Sequence, residues 1–251
     1  MIIGSWNIRG VCEPFKQREL RAWIHKQHIS MVGVLETRVR AGRYPHLIDN
    51  IMASWQSVSN YSQHPNGRIW LLWDPAVLDI QPKLITDKVI HSDVVILQKQ
   101  IKLSVTLIYG LNCYIQRRRL WSSLSSLSRD LGSTPWLLLG DFNVVRFQSE
   151  LLGGNQQAWP PYMNELNECC NSSSLEDLRY SGQLLTWSKG SGSSYLARKL
   201  DRALVNPAWH SFFPNAEVFF HEHGPSDHSP IIVNMGVQLH IRRPPFRFFT
   251  Y

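Results

Sequence analysis

Short apolar runs, separated by polar stretches rich in turn-forming residues, recur along the whole chain. The runs at 1–6, 31–35, 68–73, 94–99, 103–109, 136–139 and 231–235 are rich in Val, Ile, Leu and Trp, which predicts strands. Three other stretches carry helical spacing. Leu20, Trp23 and Ile24 share one face of 17–28, and Leu120, Leu124, Leu127 and Leu131 line another after Gln116. Tyr162, Met163, Leu166, Cys169 and Cys170 form a third, starting after Pro160 and Pro161. Many short strands with a few amphipathic helices predict an α/β (α+β) fold, with two packed sheets inside and helices outside. One domain is expected over 1–237. The last stretch, 238–251, contains RRPPFRFF and reads as a basic, Pro/Phe-rich tail.

The same pattern places chemistry. Asn7 ends the first run, Glu36 follows the second, and Tyr109 ends the run at 103–109. Asp141 and Asn143 follow the run at 136–139, while Asp227 and His228 precede the run at 231–235. A lone polar residue at a strand end is usually a turn residue. Several able to bind metal or phosphate, repeated at strand ends, point to oxygen ligands gathered on one rim, as a hard cation such as Mg²⁺ requires.

Composition narrows the class. Apolar residues make up 43% of the 251, enough for a packed core and against disorder. The formal charge of +7 favours a polyanionic partner without requiring one. Cys12, Cys113, Cys169 and Cys170 have no metal-ligand spacing and no ready disulfide geometry, which predicts a reduced compartment. Neither a signal peptide nor a membrane-spanning run is evident, so a nuclear or cytoplasmic location is expected rather than secretion.

The segments SWNIRG, VLETR, IYGLN, GDFN, LTWS, LDRALV and GPSDHSP stand in the order of the endonuclease/exonuclease/phosphatase superfamily, and the chain resembles it over nearly its whole length. SELLGG, LEDLRYSGQLLTWS and the terminal PFRFF are similar to the endonucleases of plant LINE-type (non-LTR) retrotransposons in particular. The resemblance implies a DNase I-like four-layer α/β sandwich, a Mg²⁺ cofactor that Mn²⁺ would replace, and DNA as the partner. It implies no membrane or protein partner, and a place in a longer retroelement polyprotein.

It also implies roles. Glu36, Asn7 and Asp227 would serve the metal. Asp141 would orient or deprotonate the attacking water, Asn143 would fix that water or a phosphoryl oxygen, and His228, oriented by Asp201, would donate to a non-bridging oxygen. Tyr109, Asn112, Thr186 and Ser226 would contact the scissile phosphate or its neighbour. Lys189, Arg198 and Lys199 would carry a DNA-contacting hairpin over 189–199 with a GSGSS tip. The basic run at 117–119 reads as a solvated helix face. Gly110, where many members have a residue followed by proline, predicts a less rigid loop. Leu35, in place of the glutamine common in apurinic endonucleases, weakens a repair assignment. Two alternatives remain open: a phosphomonoesterase of the same superfamily, and a non-catalytic DNA-binding remnant of a retroelement.

Overall fold

The computed structural model describes residues 1–154 and 159–237; the expected tail over 238–251 lies outside the described residues. The strands are β1 (Ile2–Asn7), β2 (Met31–Leu35), β3 (Gln56–Ser59), β4 (Ile69–Trp73), β5 (Leu78–Ile85), β6 (Val89–Ile96), β7 (Ile101–Tyr109) and β8 (Trp136–Asp141). They continue with β9 (Leu151–Leu152), β10 (Glu176–Asp177), β11 (Tyr180–Gly182), β12 (Trp187–Lys189), β13 (Leu196–Arg198), β14 (Asp201–Val205), β15 (Glu217–Phe220) and β16 (Ile231–Asn234). The helices are α1 (Pro14–Lys26), α2 (Tyr44–Met52), α3 (Tyr114–Leu131), α4 (Glu165–Ser172) and α5 (Pro207–Phe212).

Two mixed sheets stack face to face. One runs β11-β15-β16-β1-β2-β4-β3 and the other β10-β14-β8-β7-β6-β5. The central strands β2 and β4 are uniformly apolar, and β8 is apolar up to its last two residues, because both of their faces are covered. In β2, Met31 and Leu35 point into the core between the sheets, while Val32 and Val34 pack outward with α1 and α2. In β8, Leu137 and Leu139 point inward, while Trp136 and Leu138 pack with α3 and α4. These are the four layers the sequence implied. No helix among the described residues is long and apolar enough to cross a membrane.

Several boundaries differ from the sequence expectation. The run at 94–99 straddles a strand end: β6 stops at Ile96, and Gln100, at a φ of 54°, helps turn the chain into β7. The first helix begins at Pro14 rather than 17, because proline suits a first helical turn, where its missing N–H is not needed. A short 3₁₀ turn at Pro161–Asn164 precedes α4. The helix α2 gave no earlier signal, since Leu47, Ile48, Ile51 and Met52 mark its buried face over only nine residues.

Gly33 leaves room for Leu107 of the facing sheet. A Cβ built there would lie 2.5 Å from Leu107 Cδ2 and 2.8 Å from Cδ1, and Leu107 is itself fully buried. Gly33→Val should therefore destabilise the fold by about 1–3 kcal/mol through overpacking, read as a lower urea midpoint. Leu107→Ala added to it should recover part of that loss, because the two sites share one contact. Additive losses would place the sheets farther apart than described.

Candidate active site

Strand direction collects the polar strand ends. β1 runs parallel to β2, so Asn7 lies beside Leu35 and the next residue, Glu36, emerges at the same edge. β7 runs parallel to β8, pairing Tyr109 with Asp141. β14 runs antiparallel to β8, so the first residue of β14, Asp201, also pairs with Asp141. β16 runs antiparallel to β1, which brings the residues before it, Asp227 and His228, to the end where β1 stops. Asn143 (φ 52°) and Glu36 (φ 49°) adopt left-handed backbone conformations, a strain that concentrates where side-chain placement matters.

The floor of the site is a buried hydrogen-bonded set. Asp141 Oδ2 accepts from Asn7 Nδ2 at 2.8 Å, and Asp141 Oδ1 accepts from the Asn143 amide at 2.8 Å. Asp201 Oδ2 accepts from His228 Nδ1 at 2.9 Å and from the Thr186 hydroxyl at 2.7 Å. His228 Nε2 points back toward Asn7 Nδ2 (3.4 Å) and Asp141 Oδ2 (3.9 Å). Burial, reinforced by the Asp201 charge, pushes Asp141 up to about 7. Burial works against His228 protonation, but the charge and hydrogen bond of Asp201 outweigh it and push the imidazole up to about 9.

Glu36 and Asp227 form a more open face beside this floor. Glu36 Oε1 accepts from the Tyr109 hydroxyl at 2.7 Å, and Oε2 accepts from Arg38 Nη2 at 2.6 Å. Burial would raise the Glu36 carboxyl, but the Tyr109 and Arg38 hydrogen bonds and nearby guanidinium charges hold it below its ordinary value. Asp227 Oδ2 accepts from Arg9 Nη1 at 2.5 Å and from Trp187 Nε1 at 2.9 Å. The other oxygen, Asp227 Oδ1, is buried without a hydrogen-bond partner. Hard oxygen donors with one buried lone-pair set unsatisfied suit a divalent cation. Asp141, Asp201 and His228 also offer ligand atoms within 4.8 Å of one another. Asp201 Oδ2 is committed to His228 and Thr186 there, as both Glu36 oxygens are to Tyr109 and Arg38; the buried carboxylate oxygen left without a partner is Asp227 Oδ1.

Other expected contacts fall elsewhere. Thr186 is fully buried and spends its hydroxyl on Asp201, while its oxygen accepts from the Leu200 and Asp201 amides. It positions Asp201 rather than facing a phosphate. Ser226 is buried too, donating to the Asn7 carbonyl at 2.6 Å, and so fixes the turn before His228. Asn112 is exposed on the loop beside Tyr109. That loop is not loose. Gly110 N donates to the Asp141 carbonyl at 2.7 Å, its own carbonyl accepts from Asn143 Nδ2, and a Cβ there would lie 2.3 Å from the Phe142 carbonyl oxygen. Arg117 is not a solvated cation. It is buried and donates to the carbonyls of Leu111, Asn112 and Asn143, bolting the loop to the floor.

The hairpin forms as expected from β12 and β13, with Lys189 and Arg198 exposed, and β9 extends it into a three-stranded sheet. Lys199 is a correction. Only 1% of its side chain is exposed; its ammonium lies 3.3 Å from the Tyr180 ring centroid and 3.8 Å from Asp177 Oδ1. Desolvation pushes it down to about 8 against the pull of Asp177. It anchors the hairpin base and offers no surface to a ligand. Arg9, Arg38, Arg117 and Trp187 were not singled out from sequence as site residues. A signal did exist for the first two: each follows a polar strand-end residue by two positions, in NIR and ETR.

Residues 4–228 match the family model described as endonuclease/exonuclease/phosphatase family. No curated protein sequence is significantly similar to the chain. Among solved structures, the chain is similar to the endonuclease domain of TRAS1, a telomere-specific non-LTR retrotransposon. The TM-score is 0.72 at 12% identity, covering 95% of this chain and 99% of that one. It is also similar to the AP endonuclease LMAP from Leishmania major, with a TM-score of 0.68 at 13% identity over 92% of this chain and 86% of that one. A functionally unknown conserved protein from Enterococcus faecalis gives 0.63 at 13% identity, over 93% and 98%. At such identities the likeness carries the fold.

The buried pair of His228 and Asp201 has a pH signature. A histidine whose folded value lies above its unfolded one adds stability that is fully present below about pH 6.5 and is lost as pH rises through about 9. The His228 ring resonances in the metal-free protein should titrate near 9 by NMR, and Asp201→Asn should lower that midpoint. A wild-type midpoint at the ordinary histidine value would show that the pair is not formed in solution.

Proposed function

The chain belongs to the endonuclease/exonuclease/phosphatase family, and from that premise we propose that it is a Mg²⁺-dependent DNA endonuclease that nicks one strand, as a LINE-type retroelement does at its target site. The family comprises hydrolases, nucleases among them, that generally use divalent metals. The observation that carries the DNA reading is the origin of the hairpin. β12 starts at Trp187, which bridges to His228 and donates to Asp227, so the exposed Lys189 and Arg198 rise directly from the reaction centre. Cations in that position suit a long polyanion passing over the site more than a small phosphomonoester.

In this reading Glu36 and Asp227, with Asn7 beside them, would hold the cation. When bound, the cation supplies neutralisation of charge on the phosphoryl oxygens and on the departing 3′ oxygen. Asp141 is raised to about 7 and His228 to about 9, so between those values the carboxylate is ionised while the imidazole is protonated, which suits a base and an acid working together. Asp141 accepts the proton of a water attacking phosphorus, with Asn143 fixing that water or a phosphoryl oxygen. His228, held by Asp201 and Thr186, donates through Nε2 to a non-bridging oxygen as charge develops. The phosphorus–O3′ bond breaks, the 3′ oxygen leaves and takes a proton from solvent to become a hydroxyl, and the 5′-phosphate remains on the other fragment. Tyr109, raised by burial and by Glu36, stays protonated and keeps the Glu36 carboxylate oriented. Asn112, exposed beside Tyr109, is placed for a neighbouring phosphate. The domain would act within a longer retroelement polyprotein.

Supercoiled plasmid incubated with Mg²⁺ should convert to open circles, and EDTA should stop it. Glu36→Ala should abolish nicking while the protein stays folded. Asp141→Asn and His228→Ala should each slow it by about 10²–10⁴-fold with little change in DNA affinity. Full activity in EDTA would overturn the metal assignment. Phosphate release from inositol polyphosphates without plasmid nicking would favour a phosphomonoesterase instead.

The hairpin should set where the enzyme cuts rather than whether it cuts. Deleting residues 190–194 should shift the cleavage map on a defined duplex while nicking persists. An unchanged map at an unchanged rate would make the tip an inert turn. Because Lys199 is buried, Lys199→Met should leave the salt dependence of DNA binding unaltered, whereas Lys189→Ala and Arg198→Ala should each flatten it.

A further inference from the structure

Arg9 occupies a position the proposed reaction does not yet use. Its Nη1 lies 2.5 Å from Asp227 Oδ2 and its Nε lies 3.6 Å from Glu36 Oε2, so one guanidinium spans both carboxylates of the open face. Arg38 Nη2 lies 2.6 Å from the same Glu36 oxygen, Oε2. Two carboxylates thus face two guanidiniums, and the local charge is balanced without any metal. The Arg9 backbone is fixed. Its amide donates to Asn7 Oδ1 at 3.2 Å, its carbonyl accepts from Lys16 Nζ at 3.1 Å, and its φ is 48°. Its side chain is not enclosed: 38% is exposed, against 10% for the side chain of Glu36. An anchored backbone with an open side chain suits a guanidinium that changes partners without moving the chain.

A divalent cation coordinated by Glu36 and Asp227 at the short distances of metal ligation would compete with Arg9 for Asp227 Oδ2 and would sit against its guanidinium beside Glu36 Oε2. Cation and guanidinium also repel at close range. Both cannot hold the same carboxylate oxygens. A displaced Arg9, still tethered beside Asn7, would find its next anion in the phosphodiester lying over the site, where a guanidinium pairs well with phosphate oxygens.

We propose that Arg9 is an exchangeable counter-cation of this site: it neutralises Glu36 and Asp227 in the free protein, yields them to a divalent metal, and then binds a phosphate of the DNA. This rests on the nuclease reading for its ligand, but its first half concerns metal binding alone. The exchange makes metal occupancy and DNA engagement mutually supporting, because the metal frees the arginine and DNA gives it a new partner.

The test begins without DNA or turnover. Free Mn²⁺ is titrated with metal-free protein and followed by its EPR signal. Arg9→Gln, which removes the competing charge, should bind Mn²⁺ about tenfold more tightly than wild type, a modest share of the close-range repulsion between the two cations. Arg9→Lys keeps a cation and should stay near wild type. Unchanged or weaker Mn²⁺ binding in Arg9→Gln, or equal tightening in Arg9→Lys, would overturn the proposal. Thermal melting of each variant checks that the fold is intact. In a second arm, duplex binding is measured against salt in an Asp141→Asn background, with Mn²⁺ or with EDTA. The slope should be steeper with Mn²⁺ by about one phosphate contact when Arg9 is present, and the difference should vanish in Arg9→Gln. Equal slopes with and without Mn²⁺ when Arg9 is present would refute the phosphate half. Absence of plasmid nicking by the wild-type protein with the Mn²⁺ result intact would sink the nuclease reading and leave the metal exchange standing.

Discussion

Asp141 is a buried carboxylate on which both sheets converge, and much of the site depends on how it is satisfied. It ends β8, pairs in register with Tyr109 on one side and Asp201 on the other, and accepts from Asn7 across the gap between the sheets. An ionised carboxylate taken fully out of water costs several kcal/mol unless its lone pairs are met. Here the Asn7 side chain and the Asn143 amide meet them at hydrogen-bonding distance, and protonated His228 lies nearby. The need to satisfy one buried charge thus fixes where β1 stops against β8, how the chain turns at Asn143, and where His228 must lie. Relaxing any of these would leave the carboxylate short of a partner.

A second buried charge set does the same for the hairpin. Arg202 is fully buried in β14 and donates to both Asp177 and Glu150, while Arg146 and Lys199 also pair with Asp177. Glu150 in turn accepts from the Arg146 and Phe147 amides. Burial opposes ionisation of Asp177, yet the surrounding cations hold its carboxyl below the ordinary value. Such a network is weak evidence of net stability, but removing one member strands the others. Its structural consequence is clear: it ties the segment before β9 to β14, and β9 is the strand on which the hairpin rests. The cation that looked from sequence like a ligand contact, Lys199, belongs to this foundation.

The two halves of the site are therefore built differently. The floor is closed and held by residues such as Thr186, Ser226 and Arg117 whose polar groups point inward. The carboxylate face is more open, and its partners Arg9 and Arg38 are partly exposed. Rigid placement suits the groups that move protons. Replaceable partners suit the groups that must accept an ion.

The sequence by itself determined the sheet-and-helix composition, because strands covered on both faces must be continuously apolar, as β2 and β8 are. It also determined which strand ends carry polar groups, since GDFN and SDHSP place Asp141, Asn143, Asp227 and His228 beside strand ends regardless of what they meet. Weak or short patterns were not legible: α2 buries four residues in nine, and β9 to β11 are two or three residues each. Only the tertiary structure decided how each polar group spends its hydrogen bonds. Thr186 and Ser226 turn inward, Arg117 is buried under the loop at Gly110, Lys199 lies against Tyr180, and Arg9 bridges Glu36 and Asp227. Several of those partners stand far apart in the chain, 218 positions for Arg9 and Asp227 and 219 for Ser226 and Asn7, and local sequence carries no information about a pairing that strand register creates.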